Sequence, residues 1–193
     1  VAGRSFAIWP LRCPLSANRL RKGLEKRRLA GSVMRWLKAV ARCTQVELND
    51  QDTARLYAEP LFRMAEDIDL GADIRKIARL AITGLDSGDW RPKSVLSHND
   101  LWMGNVLVSN APLGGLILPG RFAVIDWAGS SVKGYPLFDT ISFGESVGRS
   151  ASRLRRDLVS YCDDLGIAPR HSASYVCAAL GAVVLKADCF PKP

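Results

Sequence analysis

The chain has 193 residues, 48% of them hydrophobic, and a formal net charge of +8, enough apolar material for one domain with a real core, or one domain and an appendage. No apolar run reaches the ~20 residues of a membrane-spanning helix, and Arg4, Pro10, Arg12 and Pro14 break up what a secretory leader needs, so neither a membrane nor export is expected. The five cysteines, Cys13, Cys43, Cys162, Cys177 and Cys189, form no CxxC pair, and the only histidines are His98 and His171, which argues against a zinc cluster and for a reduced, cytoplasmic setting.

In chain order, Phe6 to Leu11 reads as a short strand, and a basic stretch runs from Asn18 to Arg28. Residues 1 to 45 hold eleven Lys/Arg against one acid, Glu25, a net +10, leaving the remainder at −2. A basic segment on a near-neutral domain raises nucleic acid as a partner. RLRKGLEKRRLAG has no interleaved aromatics, however, so a solvated helix face or a phosphate-attracting rim is favoured. The expected result is weak, sequence-independent polyanion binding that fades steeply with salt, because released counterions alone drive it. Sequence-selective retention on a DNA or RNA column at physiological salt would overturn this.

A helix capped by Ser32 would carry Val33, Trp36, Leu37 and Val40 on one face. Asp50 or Asp52 suits the cap of a second with Leu56, kinked or reopened at Pro60 before Leu61, Met64 and Ile68. A third, Ala72 to Thr83, aligns Ile74, Ile77, Ala78, Ala81 and Ile82 and stops at Gly84. Strands are expected at Val95 to Ser97, Val106 to Ser109 and Phe122 to Ile125, the last two forming a hairpin through the turn-rich NAPLGGLILPGR, where Leu116 to Leu118 could extend a strand. AGSSVKGYP reads as a flexible loop. Helices follow from about Leu137 to Gly148, from Ser152 to Leu165 ahead of Gly166, and from Ser172 to Ala187. Val95, Leu96, Val106, Leu107, Val124 and Ile125 are the expected strand contribution to the core.

Polar residues collect where the apolar strands end. VLSHNDLWMGNVLV places His98, Asp100 and Asn105 on one loop, and RFAVIDW places Asp126 straight after a strand. Taken singly, Asp or Asn there is an ordinary turn residue. Taken together, in the order Asp, four residues, Asn, then an Asp at a strand end, they match what phosphoryl transfer needs. Asp100 would take the acceptor's proton, while Asn105 and Asp126 would hold magnesium on the phosphates.

HNDLWMGN followed by VIDW resembles the aminoglycoside phosphotransferase and choline-kinase-like enzymes, relatives of the protein kinases, over about Ser32 to Ile167. Asn99 and Trp127-Ala128 are the small-molecule kinase forms, where protein kinases usually carry Arg and Phe-Gly. GYPLFD, Gly134 to Asp139, is similar to the family's Gly-x-Pro-x-x-Asp segment. The resemblance implies an α+β, mostly helical C-terminal lobe of a protein-kinase-like fold over 32–193, whose small antiparallel β-hairpin carries the catalytic and metal-binding loops, with 1–31 a residual hinge or linker. It implies that His98 orients the loop, that Asp139 and Trp127 support the site, and that Mg2+ and ATP or another nucleoside triphosphate are used. The acceptor would be a small polar molecule such as a sugar, an amino-alcohol or an aminoglycoside.

Residues 1 to 95 offer neither the Gly-rich loop nor the Lys that grip the nucleotide in such enzymes. The N-terminal lobe of the same protein is therefore expected to be missing from this chain and to be its partner, and the chain alone is expected to be inactive. The alternatives are a non-catalytic kinase-like binding or scaffold module and, behind it, nucleic-acid binding through the basic segment.

Overall fold

A computed structural model describes residues 12–13, 19–109 and 122–188; the strand expected at Phe6 to Leu11, the turn-rich connection with Leu116 to Leu118, and Cys189 lie outside them. The elements are β1 (Arg12–Cys13), α1 (Arg19–Thr44), β2 (Val46–Glu47), α2 (Asp50–Thr53), a π-helical turn (Ala54–Ala58), α3 (Glu59–Glu66), α4 (Ala72–Asp86), β3 (Lys93–Ser97), β4 (Val106–Ser109), β5 (Phe122–Val124), β6 (Ser131–Gly134), α5 (Phe138–Ser146), α6 (Ala151–Leu165) and α7 (Ser172–Asp188). The fold is α+β and mostly helical, with two small antiparallel sheets ordered β1-β4-β5 and β2-β3-β6. No helix among the described residues is long and apolar enough to cross a membrane.

The first helix starts well before Ser32. Arg, Lys, Leu, Glu and Ala are strong helix formers, so the basic stretch is helical from Arg19, and Ser32 is buried inside the helix instead of capping it. Leu29, Val33, Met34, Leu37 and Ala41 form its buried stripe. The cap of α2 is Asn49, neither Asp50 nor Asp52: its Oδ1 accepts the Asp52 N–H at 2.7 Å. Pro60 does not break the chain. Having no N–H, it leaves the carbonyl of Leu56 without its usual helical donor, and the Tyr135 hydroxyl donates there instead at 2.6 Å. The π turn just ahead absorbs the ring. Gly84 is carried inside α4, which ends ahead of Gly88 at φ +74°.

The β4–β5 hairpin pairs Val106 with Val124 and Leu107 with Ala123, in the place expected for it. β3 is not part of that sheet; it pairs with β2 and with β6. β6 occupies the stretch read as a flexible loop. Its pairing needs Gly134, because a Cβ there would run into the Ser97 side chain. A second departure is Ile125, which lies outside β5 and is 40% exposed, since the backbone turns there to deliver Asp126. Leu96, Leu107 and Val124 are half-buried, and Val95 and Val106 are fully buried.

Two apolar clusters hold these elements together. One gathers Tyr57, Leu61, Ala78, Trp90, Val95 and Tyr175 among α3, α4, α6 and α7. The other gathers Leu29, Val33, Leu37, Leu101, Val106 and Phe143 among α1, β4 and α5. Tyr57 sits edge-on to Trp90, Tyr135 and Tyr175. Its hydroxyl donates to the Lys93 carbonyl at 2.7 Å, and the Tyr175 hydroxyl accepts the Lys93 N–H at 2.9 Å, so the start of β3 is clamped from both sides. Burial raises the Tyr57 hydroxyl well above its ordinary range, which keeps it a donor.

Small residues set the approach of α7 to α3. A Cβ on Gly181 would collide with the Pro60 carbonyl and meet Met64 Cγ at 2.9 Å, and a backbone carbonyl cannot swing aside. Gly181→Ala is expected to destabilise by about 1–3 kcal/mol as an overpacking substitution, read from urea unfolding midpoints. An unchanged midpoint would mean that the two helices separate freely.

Candidate active site

The site is built on the loop between β3 and β4, which bridges the two apolar clusters: Val95 enters it from the first, and Leu101 and Val106 leave it in the second. Asp139, in the first turn of α5, fastens the loop's start. Its Oδ2 accepts the His98 N–H at 2.6 Å and the Ser97 hydroxyl at 2.9 Å, and its Oδ1 accepts the Asn99 N–H at 2.9 Å. Burial pushes the Asp139 carboxyl above the usual carboxylate range, and these three donors pull the other way without reversing it. Asp139 is delivered by Pro136 and by Leu137 in the left-handed region at φ 73°.

All three non-glycine residues with positive φ among the described residues belong to this neighbourhood: Asn99 and Asp126, each at φ 64°, and Leu137. Asn and Asp tolerate that conformation better than most residues, and Asn99 is held there by its side chain, whose Nδ2 donates to Gly129 O at 2.8 Å while Oδ1 lies 2.9 Å from the Ser97 hydroxyl, whose one hydrogen it shares with Asp139 Oδ2. Backbone strain gathered in one place is a mark of functional loops.

Asp100 is exposed beside the loop, and Asn105 is buried behind it. Asn105 Nδ2 donates to the Asp100 carbonyl at 2.8 Å and to Asp100 Oδ2 at 3.2 Å. Because only the nitrogen of an amide can serve a carbonyl, Asn105 Oδ1 is the end left for a cation. The Ile125 N–H donates to Asn105 O at 3.0 Å, extending the β4–β5 ladder by one step and bringing exposed Asp126 next to Asn105 along the backbone. Magnesium is typically held by one or two carboxylates together with phosphate oxygens and water. The hard-oxygen donors Asn105 and Asp126, with Asp100 alongside, fit that ion. Among the described residues no group of three or more His, Cys, Asp or Glu gathers as a metal site, and a mixed amide–carboxylate pair is a different kind of site.

His98 is 2% exposed, and its Nε2 lies 2.9 Å from Ile125 O. A carbonyl only accepts, so Nε2 carries a hydrogen, and Nδ1 is buried with no partner. The ring thereby ties the β3–β4 loop to the turn that presents Asp126. Trp127 covers it, with centroids 4.8 Å apart, and donates its indole N–H to Val124 O at 3.0 Å.

The sequence reading did not find the wall opposite Asp100. A cavity of about 250 Å3 opens between Asp100 and the middle of α7, where Ala179, Ala182 and Val183 face Phe138 and the Tyr135 ring. Burial pushes the Tyr135 hydroxyl up to about 12. Alanines on a helix read alike whether they pack or line a space, so α7 carried no signal for this. The expected site residues His98, Asp100, Asn105, Asp126, Trp127 and Asp139 are all described: hydrogen bonds tie Asp139 to His98 and Asn105 to Asp100, Trp127 lies on the His98 ring, and Asp126 adjoins only through Ile125, whose backbone groups join Asn105 and His98. In comparisons with known proteins, no family model, curated protein or solved structure matches the chain.

Proposed function

We propose that this chain is the large lobe of a small-molecule phosphotransferase, in which Asp100 accepts the proton of an acceptor hydroxyl and Asn105 and Asp126 hold magnesium. The observation that carries the reading is the Asn105 amide, whose one nitrogen fixes both the backbone and the carboxylate of Asp100 while leaving its oxygen uncommitted, with the Asn105 backbone bonded to the residue before Asp126. One group thus positions the base and offers a metal ligand. Bound Mg2+ would neutralise charge on the triphosphate. The acceptor oxygen bonds to the γ-phosphorus as the bond from that phosphorus to the β,γ-bridging oxygen breaks; the nucleoside diphosphate leaves with the electron pair, and the hydroxyl proton goes to Asp100. His98 and Asp139 act by holding the loop, His98 through Nε2 on Ile125 O and Asp139 through a carboxyl spent on Ser97 and two backbone N–H groups.

Paramagnetic Mn2+, standing in for Mg2+, tests the metal assignment without turnover. In the 193-residue chain it should selectively broaden the NMR signals of Asn105 and the residues around Asp126, and Asp126→Asn should weaken that effect at least tenfold, on the scale expected for losing a carboxylate ligand. Broadening centred elsewhere would remove the proposal's metal site. The Gly-rich loop and Lys that enclose a triphosphate are not found among these residues, so calorimetry should give only weak Mg-ATP binding.

A further inference from the structure

From Tyr175 to Leu185, α7 is apolar around its whole circumference, and a helix of that kind is normally covered on every side. One side packs on α3 through Gly181. Between α7, α4 and α6, however, a cavity of about 490 Å3 opens, inside the roughly 300–1,000 Å3 of small-molecule sites. Ile77, Leu137, Leu158 and Val176 form its walls together with Cys162 and Cys177. Burial raises both thiols, so they line it as neutral groups. Ile74, Val159 and Leu180, from three different helices, bring exposed apolar side chains to its rim. No residue of the β3–β4 loop takes part, and the cavity stands apart from the proposed phosphotransfer site.

Two charged residues line this apolar space, Arg155 and Asp163, both on α6 and about 12 Å apart along its axis. Both are exposed, and among the described residues neither side chain has a hydrogen bond or an ion pair. Helix stability does not account for them. Acids stabilise a helix start and cations its end, whereas α6 carries Arg153 in its first turn and Asp163 and Asp164 in its last. The neighbouring acids are already engaged, Asp157 by Arg149 and Asp164 by Lys38, each at 2.9 Å. Arg153, beside Arg155 in sequence, is exposed and unpaired as well. The Arg155 end is therefore the cationic one, and Asp163 turns an anion away from the other.

We infer that this cavity binds a free amphiphile with one anionic head, such as a medium-chain carboxylate, with its head at Arg155 and its apolar body among α4, α6 and α7. The body supplies most of the affinity, through the apolar surface it buries. The head supplies orientation and a modest preference, because an exposed ion pair contributes little.

Octanoate, 1-octanol and octylammonium, each kept below its aggregation threshold, are the probes, titrated into the 193-residue chain labelled at Ile, Leu and Val methyls. At low salt octanoate should shift the Ile77, Leu137 and Val176 signals at concentrations about two- to fivefold lower than octylammonium, and the margin should shrink as salt is added. Arg155→Gln should raise the Kd of octanoate by about two- to fivefold and leave that of 1-octanol unchanged. Ala173→Trp, at an exposed position of the lining, should obstruct the cavity and weaken all three; Val159→Trp does the same from α6 if that variant does not fold. Octylammonium binding as tightly as octanoate, an octanoate affinity unmoved by Arg155→Gln, or shifts centred away from these three methyls would overturn the inference. So would octanoate shifts that survive both Trp variants.

Discussion

Asp139→Ala is expected to destabilise the protein by about 3–5 kcal/mol, because it strands one buried and one half-buried backbone donor and leaves a cavity. Ser97 can give its hydrogen wholly to Asn99 Oδ1, 2.9 Å away, but the His98 and Asn99 N–H groups lose their acceptor. Asp139→Asn should cost less, about 1–2 kcal/mol: its oxygen can replace Oδ2, while its NH2 must face the Asn99 N–H. The two variants differ from wild type in pH dependence as well. Burial raises the carboxyl in the folded state, so the folded protein binds the proton more tightly than the unfolded chain, whose carboxyl stays near 3.9. Wild-type stability from this group is full below that value and declines as pH rises through the raised one. Asn has no such proton, so the wild type's advantage over Asp139→Asn should be greatest in acid and shrink towards neutral pH. Urea unfolding of both proteins from about pH 4 to pH 8 reads this directly. An advantage that grows with pH would mean that the three donors outweigh burial, and that the carboxylate is held charged.

The part of this arrangement that was legible in the sequence is the part written in spacing. Asp100 and Asn105 are tied by the loop length between them, Asp126 by the end of an apolar run, and Asp139 by Gly134 and Pro136 ahead of it. Gly166 stops α6 with φ +64°, and the β4–β5 register follows from two apolar runs. Tertiary partners decided the rest. Gly134 looked like loop punctuation until Ser97 was seen packed where its side chain would be, and only then is β6 a strand. Asn49 competed with two nearby aspartates for one cap, and Asp52 is drawn instead to Arg55 and Lys133. Pro60 reads as a kink or as the opening of another turn, and it stands in the first turn of α3; what takes the carbonyl it frees is Tyr135, distant in sequence. Ile125 has the side chain of a core strand residue, but both its backbone groups are used to join Asn105 and His98, so the side chain is turned outward.

Asp100→Asn is expected to lower kcat by about 100-fold or more, the typical contribution of a positioned general base, while leaving nucleotide affinity and folding nearly unchanged. The two halves of that expectation come from different contacts. Asp100 is exposed, and substitutions at such positions usually change stability by no more than about 0.5 kcal/mol. Its one side-chain bond, from Asn105 Nδ2, can be kept by the oxygen of an introduced amide, so the loop and the proposed metal ligands Asn105 and Asp126 should stay in place. The amide cannot accept the acceptor's proton. The loss should therefore fall on kcat and kcat/KM alike with little change in KM, the pattern of an interaction made in the transition state. Turnover is to be measured with the nucleotide-gripping loop and Lys supplied, since transfer depends on the triphosphate being enclosed. The comparison variant Asp126→Asn should behave differently, raising the Mg2+ concentration needed for half-maximal rate. Near wild-type kcat in Asp100→Asn would remove Asp100 as the base, and a fall in rate rescued by raising Mg2+ would reassign it to the metal.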